Sequence, residues 1–479
     1  MHQILSFVLD GKIQNITFSE HFSPTTTVLN YLRSGNEHRG VKEGCAEGDC
    51  GACTVVIAEL DVNNKLSYQA WDSCLVFLPM IHGKQLITIE NLKQVKDGQS
   101  ILHPVQETMV SCNGSQCGYC TPGIVMSLFS LYKSEDKPST LRIEDVLTGN
   151  LCRCTGYKPI LEAAAKACVH GGKDQFNNEE AEIISMLLEI RKNTESLSVE
   201  NKTQKYHQPL SKAEALKLRK QKPGAVLISG ATDIALRVTK KHEHLSDVID
   251  LSHVQEFKKS GGDVNTIYLG AGLSLEAVKT LVKQTLPALY ETLVVFGSKQ
   301  IRSLATLGGN LGSASPIGDT LPTLMAYDAS VILESEEGVR EINMNRFVLG
   351  YRKTELRSDE LITGVHIPKH EPDKIVKFYK VSKRKDLDIS TVSACFSLKL
   401  QGSTVKEIRM AYGGMAAVTK RVETAENFLT GKTWSREMVE QAMDLIGKEF
   451  TPISDARSGA AFRSMAAKNL LLKFWSETK

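Results

Sequence analysis

The sequence predicts a multidomain α+β protein, and three observations carry that prediction. The chain has 479 residues, more than one hydrophobic core serves at roughly 100–200 residues per domain. Nine of its eleven cysteines fall between Cys45 and Cys154, which makes the N-terminal third chemically distinct. Two stretches rich in small residues, one after the apolar run 226–229 and one spanning 297–319, mark a second chemistry further along.

The first element is a hairpin, because polarity alternates up to Asp10 and Gly11, a pair suited to the positive φ angles of a tight turn. Thr25, Thr26 and Thr27 then offer a cap for an apolar-periodic helix over 28–33. Strand-like runs at 54–60 and 66–71 flank Asn63 and Asn64, completing a small mixed sheet with one helix, a β-grasp pattern that extends to about residue 89. Beyond residue 102 the periodicity is helical, with four short helices expected at 104–111, 122–133, 143–147 and 159–170. Three begin at proline, whose missing N–H costs nothing in a first turn. Helices this short bury little apolar surface, so an inorganic centre held between them would organise the domain.

Residues 171–205 are polar apart from an amphipathic stretch at 179–190 and read as a surface linker. A helix at 212–220, a strand at 225–229 and a turn at 230–233 open a further α+β domain, whose second strand ends at Gly270, Ala271 and Gly272. In the tail, strands at 390–400 and 407–412 alternate with helices at 422–429, 436–450 and 460–475. The expected divisions are 1–89, 90–170, 171–205, 206–372 and 373–479.

Composition excludes more than it identifies. The hydrophobic and charged fractions, 42% and 24%, are those of ordinary folded proteins. A net charge of +3, with lysines at 377–385 interrupted by apolar residues, argues against a nucleic-acid partner and reads as a solvated face. No apolar run approaches the ~20 residues that cross a bilayer, and Asp10 and Lys12 stand where a secretory signal needs an apolar core. A soluble, cytoplasmic protein without a membrane partner is expected. In that reducing compartment clustered cysteines call for metal or redox chemistry rather than disulfides.

Cys45, Cys50, Cys53 and Cys74 have the spacing C-x4-C-x2-C with a fourth cysteine after twenty residues, as in plant-type ferredoxins holding a [2Fe–2S] cluster. Gly44, Gly48 and Gly51 in that loop let backbone N–H groups approach the sulfurs. A second set, Cys117, Cys120, Cys152 and Cys154, pairs C-x2-C with a distant C-x-C at the ends of helical hairpins. A four-cysteine zinc site is the alternative for each set, although a C-x-C pair is awkward for zinc. Cys112 is a rival ligand on spacing alone, while Cys168 and Cys395 read as packed apolar thiols.

The segments GSQCGYCTPG, GNLCRCTGYKPIL and GCAEGDCGACTV resemble the two cluster domains of the xanthine dehydrogenase, aldehyde oxidase and carbon monoxide dehydrogenase family, the molybdenum hydroxylases. The resemblance selects Cys117 over Cys112 as the first ligand of the second set. It implies that this four-helix cluster domain lies nearest a molybdenum cofactor, that Gln116 touches that cofactor across a subunit interface, and that the ferredoxin-like cluster relays to a flavin.

Two later segments carry weaker signals of their own. VLISGATDIAL at 226–236 is a strand, a small-residue turn and a helix start that would suit a pyrophosphate, or equally a turn with a capped helix. SLATLGGNLGSASPIGD at 303–319 gathers glycines, hydroxyls, an amide and an acid. Gly308 and Gly309 could approach a diphosphate, Thr306, Asn310, Ser313 and Ser315 could hydrogen-bond to it or to ribitol, and Asp319 could accept from hydroxyls; a long structural loop is the alternative. Neither segment has the G-x-G-x-x-G dinucleotide fingerprint.

Both segments resemble the FAD motifs of the same family, whose flavin domain is of the vanillyl-alcohol-oxidase type and is followed by a C-terminal flavoprotein lobe. Carried over, Leu227, Ile228, Ser229, Gly230, Ala231, Thr232, Asp233 and Ile234, with Thr306, Gly309, Asn310, Ser313, Ser315 and Asp319, would wrap the diphosphate and ribityl chain. Phe296 would lie near the flavin, and Ile362 and Lys380 on its ring side. The chain has Gly297 and Ser298 where the family pattern is Ala-Gly. Because two cluster domains and a bipartite flavin lobe use up 479 residues, the molybdenum cofactor is expected on a large partner subunit, in an (αβ)2 assembly resembling bacterial xanthine dehydrogenase. Two [2Fe–2S] clusters, FAD and NAD+ as acceptor are the implied cofactors, and no acid–base catalytic residue is expected in this chain.

Overall fold

The computed structural model describes residues 3–19, 21–170, 173–192, 195–369 and 371–479. These divide into two units. One comprises the chain up to Leu210 with Gly224–His253 and Gly297–Ala305; the other comprises Ser211–Pro223, Val254–Phe296 and Thr306–Lys479.

The first unit opens with β1 (Leu5–Leu9) and β2 (Lys12–Ile16), joined by Asp10 at φ 54° and Gly11 at φ 66°. Two consecutive positive φ values give the turn a twist that matches the strands. Helix α1 (Val28–Ser34) is capped by Thr27, which accepts from the Asn30 amide at 3.2 Å. With β3 (Thr54–Leu60), β4 (Leu66–Asp72) and β5 (Gln85–Ile87) the sheet runs β2-β1-β5-β3-β4, with β1 and β5 parallel and the other pairs antiparallel. This is the expected β-grasp.

Helices α2 (Pro104–Ser111), α3 (Thr121–Ser134), α4 (Thr140–Leu147) and α5 (Lys158–Ala167) follow. Helix α4 begins three residues before the apolar run suggested, because Ser139 caps it by accepting from Arg142 N. The four helices and the outer face of β3 share one core, built on Val56, Ile124, Phe129 and Ile160.

The stretch expected as a linker contains α6 (Gln175–Arg191), capped by Asp174. Its Ile183, Leu187 and Ile190 are buried against Val8 and Leu60, so the amphipathic repeat read from the sequence covers the sheet rather than crossing open surface. Gly171, Gly172, Asn193 and Thr194 of that stretch lie outside the described residues, as does His370 of the expected flavin domain.

A four-stranded sheet completes the unit, ordered 226–228, 247–250, 205–208, 197–200. Its Val199, Tyr206, Ile228 and Val248, with Leu304, join Leu5, Val28, Val55 and Leu75 in a single core. The β-grasp and this sheet therefore stabilise each other.

The second unit holds a five-stranded antiparallel sheet built on Thr266–Gly270, Ser330–Ser335 and Leu361–Pro368, and a four-stranded one built on Lys374–Val381, Val392–Gln401 and Thr404–Gly413. Three helices, Glu423–Leu429, Arg436–Glu449 and Ala460–Thr478, close the latter's core. Of the stretch 377–385 read as a solvated face, Lys383 and Lys385 are exposed, while Lys377 and Lys380 lie on the strand Lys374–Val381. Lys377 pairs with Glu477 at 2.9 Å, and the Lys380 side chain is only 5% exposed.

Candidate functional site

The first cysteine set lies in the loop between α1 and β3, completed by Cys74 on a short turn after β4. The free thiol of Cys45 lies within interacting reach of that of Cys50, and the free thiol of Cys53 within reach of Cys74. Cys45 is held down at about 5, first by the Cys50 thiol and then by backbone N–H groups, those of Glu47 and Asp49 standing 3.5 and 3.3 Å from its sulfur. Cys53 and Cys74 are buried, while Cys45 and Cys50 are half-buried. A loop that turns amide dipoles toward sulfur stabilises thiolates, the form in which cysteine binds metal.

The second set comes from the loops before α3 and α5. Here the free thiols of Cys117 and Cys154 lie within interacting reach of each other, as do those of Cys120 and Cys152. The Tyr119 amide, with the Cys154 thiol, lowers Cys117; burial first and the Cys152 thiol second push Cys120 up to about 12. Cys117 and Cys154 are exposed, and so is Gln116 beside them. Cys112, the rival on spacing, ends α2 and packs against the helical core outside both pairs. Cys168 and Cys395 are buried, as expected of apolar thiols, and burial pushes Cys168 up to about 11.

Eight thiols thus stand in four pairs, two pairs to a set. Two thiolates per iron and two irons per centre is the donor arrangement of a [2Fe–2S] cluster, so the residues present fit that group.

In the first unit residues 227–234 run from the strand Val226–Ile228 through a turn, with Ala231 at φ 58°, into the helix Ala235–Thr239. At Gly230 any Cβ would stand 1.7 Å from the Leu304 carbonyl oxygen, so only glycine lets these backbones approach. The Ser229 hydroxyl oxygen is buried and has no hydrogen-bond partner among the described residues. A buried polar atom without a partner costs free energy unless a ligand satisfies it, which fits a bound cofactor at this turn.

In the second unit the segment read as a possible loop is helical over Leu307–Ser313, because Thr306 caps it by accepting from Gly309 N at 3.1 Å. Ser313 donates to the Asn310 carbonyl at 2.9 Å, and Asn310 accepts from Thr320 at 2.5 Å. Asp319 accepts from Ser390 at 2.6 Å and from Lys380 at 3.0 Å, and Lys380 also donates to Val295 O at 2.9 Å. Thr306, Ser313, Asn310 and Asp319 thus each also bond within the chain, and Asp319 pairs with Lys380. Phe296 and Ser315 are half-buried, and Ile362 is buried in the strand Leu361–Pro368. Sequence reasoning missed Ser390, and it missed Thr155 and Tyr157, which bond the Cys152 sulfur and amide at 3.2 and 2.8 Å.

Fold and thiol pairing together define an iron–sulfur flavoprotein. Family models match a 2Fe-2S iron-sulfur cluster binding domain at 10–76, a [2Fe-2S] binding domain at 88–165, an FAD binding domain in molybdopterin dehydrogenase at 199–370 and a CO dehydrogenase flavoprotein C-terminal domain at 377–478. The chain is 32% identical to the xanthine dehydrogenase of Emericella nidulans over 512 residues, covering 95% of this chain and 37% of that protein. It is 31% identical to that of Drosophila subobscura over 526 residues, covering 98% and 39%. A carbon monoxide dehydrogenase chain from Hydrogenophaga pseudoflava aligns with a TM-score of 0.54 at 25% identity, over 56% of this chain and 94% of that one. The chain belongs to the molybdenum hydroxylase family and carries its iron–sulfur and flavin domains. It spans less than half the length of these curated relatives.

Proposed function

We propose that this chain is the electron-transfer arm of a xanthine dehydrogenase. When bound, the clusters would pass single electrons and FAD would gather two for NAD+. In this reading Cys117, Cys120, Cys152 and Cys154 hold the centre that receives electrons from a molybdenum cofactor on a large partner subunit, where hypoxanthine and xanthine are oxidised. The exposed Gln116, Cys117 and Cys154 face that partner. Cys45, Cys50, Cys53 and Cys74 hold the second centre, and residues 227–234 serve the flavin. The assembly is (αβ)2 and cytoplasmic; among the described residues no helix is long and apolar enough to cross a membrane.

The observation that carries this reading is the thiol pairing: four pairs in two sets, with a loop of one set joined to a loop of the other by the hydrogen bond from Leu151 N to Cys50 O at 3.0 Å. Co-purification with the large subunit, followed by an assay for xanthine-dependent NAD+ reduction, tests it. Reduction of NAD+ supports it, and none with xanthine or hypoxanthine refutes the substrate. A second reading is the same arm serving a hydroxylase of aldehydes or N-heterocycles, which turnover of those substrates would establish. Zinc in place of iron would refute both.

A further inference from the structure

Asn150 lies two residues before Cys152 and is 2% exposed. Its side-chain amide has two hydrogens to donate and two lone pairs to fill, and all four are used. Nδ2 donates to Gly51 O and to Thr54 Oγ1, both at 3.2 Å; Oδ1 accepts from Ser127 Oγ at 2.6 Å and from Gln300 Nε2 at 2.9 Å. The orientation is dictated by the partners, since a flipped amide would set its oxygen against the Gly51 carbonyl.

The backbone on either side is equally close. Leu151 N donates to Cys50 O at 3.0 Å, so one hydrogen bond and a few covalent bonds separate Cys50 of one cysteine set from Cys152 of the other. Gly51, at φ +68°, would place a Cβ 2.2 Å from Gly149 O and 2.5 Å from Asn150 Nδ2. No side chain fits between the loops.

We propose that Asn150 is a positioning residue for electron exchange between the two iron–sulfur centres: its amide bolts the Cys50–Gly51 backbone to the Leu151–Cys152 backbone and fixes the Cys50–Leu151 bridge. The inference rests on the redox reading above. Asn150 touches neither centre and acts by holding their ligand loops together. Every donor and acceptor of the Asn150 amide is engaged, and a buried amide held in this way rigidifies what it joins, and tunnelling falls steeply with separation.

The test uses the cluster-loaded chain as wild type, Asn150→Ala and Asn150→Asp. The aspartate keeps the acceptors for Ser127 and Gln300 and sets a carboxylate oxygen where the donor to Gly51 O and Thr54 Oγ1 was, so its effect falls on the contact with the ferredoxin-like loop. Iron is counted, the magnetic interaction between the dithionite-reduced centres is read by EPR, and the exchange of one flash-introduced electron is followed optically. Both variants should keep about four irons per chain, show a weakened interaction and exchange electrons about tenfold more slowly or worse. An unchanged interaction and rate with iron intact overturns the proposal. So does loss of iron in both variants, which would make Asn150 a support of one centre. Wild-type protein without iron would instead refute the redox reading itself.

Discussion

Lys380 Nζ stands 3.0 Å from Asp319 Oδ2, with the two side chains 5% and 6% exposed. Each is the other's counter-ion in a place water barely reaches, so removing one leaves an uncompensated buried charge. Lys380→Met should lower stability by about 3–5 kcal/mol and reduce FAD retention; Lys380→Met with Asp319→Asn should recover part of the loss. Denaturant unfolding and flavin absorbance per chain measure both. Equal losses in single and double variants would mean that the pair does not act as a pair.

Cys112 and Cys117 compete on spacing, and the thiol pairing separates them. Cys117→Ser should cost one of two centres, a fall from about four irons to about two. Cys112→Ser should leave iron content and the visible spectrum unchanged, because that residue caps the end of α2 outside both thiol pairs. Iron and acid-labile sulfide analysis decides between them.

His38 is buried at the base of the ferredoxin-like sheet, 3.1 Å from Asp10 Oδ2 and 3.9 Å from Glu90 Oε2. The Asp10 carboxylate first and Glu90 second hold the imidazolium up at about 9, against desolvation. A raised folded value means that the stabilisation is complete below the unfolded value of about 6.5 and is lost as pH climbs through about 9. The thermal midpoint should therefore fall over that window, and His38→Gln should flatten the fall while lowering the midpoint at neutral pH. A wild-type midpoint constant from neutrality to pH ~10 would contradict the ion pair.

Asp174 accepts from His103 Nε2 and Lys133 Nζ, each at 2.9 Å, and also caps α6 through Phe176 N at 3.0 Å. One carboxylate anchors three elements. Asp174→Asn should destabilise the chain by on the order of 3 kcal/mol with no change in cluster absorption, as urea titration followed at both protein and cluster wavelengths would show.

Local signals were legible in the sequence and non-local ones were not. The cysteine spacing, the turn at Asp10 and Gly11 and the proline-led helices each depend on neighbours within a few residues, and the structure has them. The helix Leu307–Ser313 was hidden because its glycines have poor helix propensity, which the Thr306 cap offsets. The strand Lys374–Val381 was hidden because its lysines recur every third residue rather than every second, and only tertiary partners such as Asp319 and Glu477 show that Lys377 and Lys380 are not merely solvated. Asn150 was visible within its motif, but its partner Gln300 lies 150 positions away and leaves no periodic trace.

The core that joins Leu5 and Val55 to Val248 and Leu304 has a consequence for how the protein is made. Chains emerge from the ribosome N-terminus first, so the ferredoxin-like sheet is translated long before its last packing partner. Until residues 197–248 and then 304 have emerged that shared core is incomplete, so the N-terminal third, although it contains every cysteine of the first set, matures as part of a longer folding unit.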